Sequence, residues 1–300
     1  MPGSISSSTA VDLSRLPAPD IVEVLDYEAI LAEMTADLVA RDSTLDALGE
    51  SDPAIKVLQV AAYRELLLRQ RVNEAARACM VAYAAGADLD QLAAIFGVAR
   101  LVLIPANVLT GAAGVMESDE DLRRRVLLAP DSYSVAGPRS AYVYHALSAD
   151  PDVLDASATS PAPGEVVVSV LSRTGNGAPA PAVLAAVEAA VNGDTVRPLT
   201  DQVTVQAAEL IAFVVTAQLA LYAGPDSQLI LDTAAAALDA FLAKSRRLGR
   251  DIPRSALVAA LHVGGVQRVH LVAPAADIVV TDLQAPLPGA LTLSLAGFDE

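Results

Sequence analysis

The 300 residues carry 20 Lys or Arg against 36 Asp or Glu, a net charge of −16, and 53% of them are hydrophobic. So acidic a surface repels polyanions, which excludes a dedicated nucleic-acid-binding role. The densest apolar run, LIAFVVTAQLALY, is broken by Thr216 and Gln218 and falls short of the roughly 20 residues a spanning helix needs, which excludes a membrane span. The single cysteine, Cys79, leaves no internal disulfide and no cysteine-based zinc site. The start, MPGSISSSTAVDLSRLPAPD, has neither the basic segment nor the apolar core of a secretory signal. Its Ser and Pro content predicts an extended arm over residues 1–20.

Asp26 is expected to cap a first helix, in which Tyr27, Ile30, Leu31, Met34 and Leu38 recur at helical spacing. A second helix is predicted from Pro53 to Ala85, with Asp52 as N-cap and Gly86 as its stop. It carries two apolar stripes. Ile55, Leu58, Ala62 and Leu66 form one; Val57, Ala61, Leu68, Val72, Ala75 and Cys79 form the other. A helix apolar on two faces is expected to be buried on two faces. A short third helix is predicted from Asp88 to Gly97, and an extended run then reaches Pro105.

After a Gly-containing loop, SDEDLRRRVLLAP reads as a helix with Ser118 and Asp121 in an acidic capping box. GPRSAYVYHALSA is a further helix, VLDASAT and GEVVVSVLS are strands, and PAPAVLAAVEAAVN is helical. DQVTVQAAE and IAFVVTAQLALYA are β-rich, and DSQLILDTAAAALDAFLAKSRR is a long helix. PRSALVAALHV, VQRVHLVAP and ALTLSLAGF close the order as helix, strand, strand. Paired strands between helices predict an α+β chain, an N-terminal helical bundle segment followed by one or two mixed α/β sandwich domains. The predicted divisions are an arm over 1–20, a helical partner-bundle domain over 21–105, an α+β domain over 106–200 and a C-terminal α+β domain over 201–300.

Signals of catalysis are weak. His145, His262 and His270 lack the spacing of a metal site, and there is no nucleophile elbow, P-loop or dinucleotide fingerprint. No catalytic, cofactor-binding or metal-ligating residue is assigned; an enzyme of unrecognised class is the alternative reading. The polar run in the middle of the second helix is more informative. Glu65, Arg69, Asn73 and Arg77 follow one another at i,i+4, and Gln70 faces Glu74. Such a ladder is either a solvated seam or a polar register device between helices of several chains. The apolar stripes on both sides favour a partner interface. Lys244, Arg246, Arg247 and Arg250 form the densest basic cluster, which complements the C-terminus of the long helix and is a second candidate interface.

Several separated blocks, in order, resemble the baseplate J family, the baseplate assembly proteins J of P2-like contractile-tailed phages and related phage-tail-like bacteriocins. They are LPAPDIVEVLDYEAILAE, AYRELLLRQRVNEAARACMVAYAAGADLDQLAAIFGVARL, ESDEDLRRRVLLAPDSYSVAGPRSAYVYHALSA and GEVVVSVLSRTGNG. The resemblance spans residues 12–300. It implies a structural wedge subunit without catalytic residues or cofactors. It is expected to be made in the host cytoplasm and built into the baseplate of a phage tail or tail-like particle. The implied partners are other baseplate wedge proteins, a second copy of itself, and tail hub or sheath-initiating proteins, with no nucleic acid and no membrane. The N-terminal helices would supply a shared bundle and the C-terminal part the ring contacts.

Overall fold

The structure, a computed structural model, describes residues 23, 25–134, 137–224 and 226–299. The extended arm expected over residues 1–20 lies outside them. The described residues form two units, one of residues up to 100 with 118–123, the other of 101–117 and 124 onward. Among the described residues, eight α-helices and eight strands make this an α+β chain.

In the first unit, α1 (Tyr27–Arg41) packs on α2 (Pro53–Ala78). The Asp26 carboxylate caps α1 by accepting from the amides of Glu28 and Ala29 at 2.9 and 3.1 Å. Asp52 holds the N-cap position of α2, but its side chain makes no cap bond there and instead accepts from Gly49 N at 2.6 Å.

Two expectations are corrected here. α2 ends at Ala78, about two turns before Ala85. The reason is Arg123, which donates to the carbonyls of Val81 and Ala84 at 2.6 and 2.7 Å and holds that segment as a turn. Gly86 opens α3 (Gly86–Ile95) instead of closing α2, and Ala85, not Asp88, precedes it as N-cap. The backbone φ of +55° at Gly86 is a conformation that a side chain makes costly. α3 is tied down at its start by Asp119, whose carboxylate accepts from Gly86 N at 3.1 Å and pairs with Arg100 at 2.7 Å. The Gly86 amide, with help from Arg100, lowers the Asp119 carboxyl below its ordinary value.

The second unit begins with an element not foreseen in the sequence. Residues 102–116 form a hairpin of β1 (Val102–Ile104) and β2 (Val115–Met116), without a single charged residue. Its tip residues Val108 and Leu109 are 94% and 97% exposed. Its base is pinned by Glu117, which is buried against Arg125 in a two-pronged ion pair at 2.8 and 2.7 Å. The same carboxylate accepts from Leu101 N at 3.1 Å. The division between units runs through α4 (Asp119–Leu128), whose predicted cap is present: Ser118 Oγ accepts from Asp121 N at 3.1 Å.

Two helix-on-sheet layers follow. In the first, α5 (Arg139–Ala149) and α6 (Pro181–Val191) lie on strands β3 (Val153–Thr159), β4 (Glu165–Ser172) and β5 (Gln202–Ala207). β3 and β4 are antiparallel; β4 and β5 are parallel, with α6 as the crossover. Tyr142, Ala146, Val168, Val170 and Val187 fill the core. The buried Tyr142 hydroxyl donates to Asp201 Oδ2 at 2.8 Å, and burial with that carboxylate pushes the phenol far above its ordinary pKa.

In the second layer, α7 (Ser227–Ser245) and α8 (Arg254–Leu261) cover one face of β7 (Val266–Ala273), β6 (Glu209–Tyr222) and β8 (Gln284–Asp299), in that spatial order. Val215, Ala217, Leu219 and Leu221 alternate inward along β6 against Ala234, Leu238 and Leu257. In both sheets a central strand has an antiparallel neighbour on one side and a parallel one on the other. The connections that reach this arrangement differ. α5 and α8, which both open with Pro-Arg-Ser-Ala, each lead into the strand that pairs antiparallel with the central strand of their sheet.

Candidate partner-binding surfaces

The two stripes of α2 meet different surroundings. Ile55 and Ala62 are buried, with Leu58 and Leu66 half-buried beside them. The second stripe faces outward among the described residues: Val57 is 69% exposed, Leu68 67% and Val72 55%, and Val60 between them is 63% exposed. Tyr63 and Leu67 widen this surface. The helix that reads as buried on two faces is thus covered on one.

The polar ladder is partly as expected. Arg69 donates to Glu65 Oε1 from Nη2 at 2.6 Å and from Nε at 3.0 Å, with Glu23 at 3.5 Å and Glu33 at 3.8 Å. Gln70 Nε2 donates to Glu74 Oε1 at 2.9 Å. Arg77 is exposed. Asn73, however, does not continue the ladder. It is buried, donates from Nδ2 to the Glu23 carbonyl at 2.9 Å, and accepts at Oδ1 from the Glu23 amide at 3.1 Å. A buried amide left unpaired costs about 1–3 kcal/mol, which favours this closed pair of bonds over an exposed neighbour four residues away. Asn73→Leu strips both partners from the Glu23 backbone. It should weaken local closure by about 1–3 kcal/mol, seen as faster hydrogen exchange at the Glu23 amide while the exchange of β6 is unchanged.

The basic cluster is divided in the same way. Arg246 Nη2 donates to the carbonyls of Ser172 and Gly175 at 3.4 and 3.2 Å, and Arg247 Nη1 to that of Leu154. Those two guanidinium groups join the end of α7 to β3 and β4. Asp155, buried beside them, accepts from Leu248 N at 2.9 Å and pairs with Arg124 at 2.6 Å. Lys244 and Arg250 are exposed, with Arg250 Nη1 donating to the Lys244 carbonyl at 3.2 Å.

The histidines do not converge. His145 stands edge-on to Tyr144 with ring centroids 5.4 Å apart, and burial lowers its pKa; His262 and His270 are exposed. Among the described residues no three His, Cys, Asp or Glu side chains are grouped to hold a metal, and no helix is long and apolar enough to cross a membrane. The geometry on offer is exposed apolar surface beside anchored charge, which suits association.

Three family models match in chain order: the Baseplate J-like N-terminal domain over residues 50–107, the Baseplate J-like central domain over 134–207, and the Baseplate J-like protein C-terminal domain over 213–294. The chain belongs to the baseplate J family of phage-tail baseplate proteins. Baseplate protein J of Escherichia phage P2 is 48% identical over 303 residues, which is 97% of this chain and 99% of that protein. The baseplate J N-terminal match begins just before α2 and ends inside the charge-free hairpin, so it contains both the outward stripe and the ladder. The central and C-terminal matches each correspond to one helix-on-sheet layer.

Proposed function

We propose that this chain is a structural wedge subunit of a contractile-tail baseplate. It is made in the host cytoplasm and assembles with other wedge proteins, and with a second copy of itself, into a ring around the tail hub. Residues 21–105 form the partner-bundle domain, and the outward stripe of α2 is its seam. The observation that carries this reading is the row Val57, Val60, Leu68 and Val72, left uncovered in the isolated chain. Contiguous exposed apolar surface marks association sites, and an amphipathic helix lays such a face into a groove or bundle. Ladder residues Glu65, Arg69, Gln70, Glu74 and Arg77 flank the seam and set its register, while Asn73 holds residue 23 in place. The ring rearranges when the sheath contracts. Electron microscopy of particles carrying an epitope-tagged copy tests the assignment. Label in the baseplate ring supports it; particles complete but unlabelled overturn it.

The C-terminal part supplies contacts between wedges, with Lys244 and Arg250 as the exposed members of the basic cluster reaching a neighbour's acidic surface. Because Arg246 and Arg247 are engaged within the chain, the informative variant is Lys244→Glu with Arg250→Glu. It should lower melting by no more than a few degrees, through the lost complement to the α7 C-terminus, and block the joining of wedges at 0.15 M salt, where charges act over about 8 Å. Wild-type joining should weaken as salt rises further. Normal joining by the double variant would remove the cluster from the interface.

A further inference from the structure

We propose that the outer edge of β8 is a self-pairing strand, which joins two copies of this chain antiparallel about Leu293. β8 is the last strand of its sheet. β6 pairs along its inner side, and among the described residues no strand pairs along its outer side. Exposed edges are normally blunted by charge, lysine or proline, because their free amides and carbonyls invite another strand. From Gln284 to Phe298 this strand has no charged residue, and from Gly289 onward it has no proline.

Its side chains are also unfinished business for the core. Leu291, Leu293 and Leu295 stand opposite Val215, Ala217 and Leu219, on the face that α7 and α8 cover. The β6 residues are fully buried, whereas Leu291 and Leu295 are exposed and Leu293 is half-buried. The apolar layer therefore runs to the edge of the sheet and stops there uncovered. Thr292 and Ser294 point to the opposite face beside Thr216 and Gln218. The register of β8 on β6 shifts on both sides of this window, between Phe213 and Val215 and between Leu219 and Ala220. Leu291–Leu295 is the regular stretch left between the two irregularities, each of which bends the strand and ends easy pairing.

The sequence names the occupant. Gly289-Ala290-Leu291-Thr292-Leu293-Ser294-Leu295-Ala296-Gly297 reads the same in both directions, apart from the exchange of Thr292 and Ser294. Antiparallel pairing with a second copy about a two-fold axis at Leu293 sets Leu293 against itself, Leu291 against Leu295, and Thr292 against Ser294. Leucines then meet on the helix side and hydroxyls on the open side. A two-fold axis one residue away would leave Leu295 opposite Gly289. Charge points the same way. Two copies of a chain with net charge −16 repel wherever their acidic surfaces meet, and this charge-free strand lets them approach without that repulsion.

Five paired residues bury far less than the roughly 800 Å² per partner of a stable interface, so the contact is weak on its own and is populated in solution only at high protein concentration. It deepens the self-association proposed above but does not involve α2, so the two surfaces can fail separately.

The test uses the full chain with Cys79→Ser, so that the exposed native thiol is removed. Leu293→Cys places two sulfurs on the two-fold axis, where facing Cβ atoms about 4.5–5.5 Å apart are close enough to bridge with a small shift. Under mild oxidation at high protein concentration it should form a covalent dimer at least about tenfold faster than Leu291→Cys, whose partner is Leu295 of the other copy. Mixing Leu291→Cys chains with Leu295→Cys chains should restore fast cross-linking. Adding Thr292→Lys with Ser294→Lys puts like charges opposite each other on the exposed face; it should keep the melting temperature and abolish the Leu293→Cys dimer. Charge substitutions on the outer stripe of α2 should leave that dimer intact. No cross-link from Leu293→Cys, equal rates for Leu291→Cys and Leu293→Cys, or a cross-link that survives the paired lysines would each overturn the proposal.

Discussion

Val60→Asp combined with Leu68→Asp should leave the isolated chain folded and its melting temperature unchanged, yet prevent its entry into the baseplate. Both side chains are more than half exposed, so neither supports the packing of α1 on α2. If the outer stripe is a seam, each side chain is buried on association, and each contributes about 1.5–3 kcal/mol. The pair then carries about 3–6 kcal/mol, a factor of roughly 100 to 10,000 in affinity. Desolvating two new carboxylates adds to the loss. Sedimentation of the purified chain with the other baseplate proteins of its particle reads the association directly, and electron microscopy counts complete particles. Wild-type association by the double variant would mean that the stripe faces solvent in the particle and that the seam lies elsewhere.

The second large effect concerns stability. Glu117→Gln should destabilise the unit that contains it by about 3–5 kcal/mol, because Arg125 would remain buried and charged without its partner. At this size each kcal/mol moves the melting temperature by about 2–4 °C, so the midpoint should fall by roughly 6–20 °C in calorimetry. The variant also weakens the acceptor for Leu101 N, so the base of the hairpin loosens with it. Replacing both partners with apolar residues, Glu117→Leu with Arg125→Met, should recover most of the loss, since a buried ion pair and a well-packed apolar pair are often close in free energy. A Glu117→Gln melt indistinguishable from wild type would show that solvent reaches Arg125 at little cost.

Helix boundaries set by local chemistry were legible in the sequence. Asp26 and Ser118 cap helices by accepting from amides two or three residues ahead, a contact that needs nothing outside the segment. β-rich composition placed β3 and β4 almost to the residue, and the two stripes of α2 were visible as periodicity. The separated family blocks are local strings as well, and the family match bears them out. Periodicity is a one-chain property, however, and says only that a face is apolar. It did not say that the Ile55 stripe is covered while the Val57 stripe is left outward, because that depends on which neighbours arrive.

The same limit applies to every polar residue whose partner is distant in sequence. Asn73 and Glu23 are 50 positions apart, Arg247 and Leu154 are 93 apart, and Arg123 reaches 42 residues back to end α2 early. An i,i+4 rule finds Glu65 for Arg69 because helix geometry alone brings them together; no local rule finds a carbonyl on another element. The parallel pairing of β6 with β8 is a further case, since strands whose partners lie 75 to 77 positions apart carry no mark of which edge they share. Composition and spacing determined most of the elements, the caps at Asp26 and Ser118, the apolar faces and the acidic surface. Tertiary structure decided which faces were covered, which charges were already committed, and which edge was left open, because those outcomes depend on competition among groups that meet only when the chain is folded.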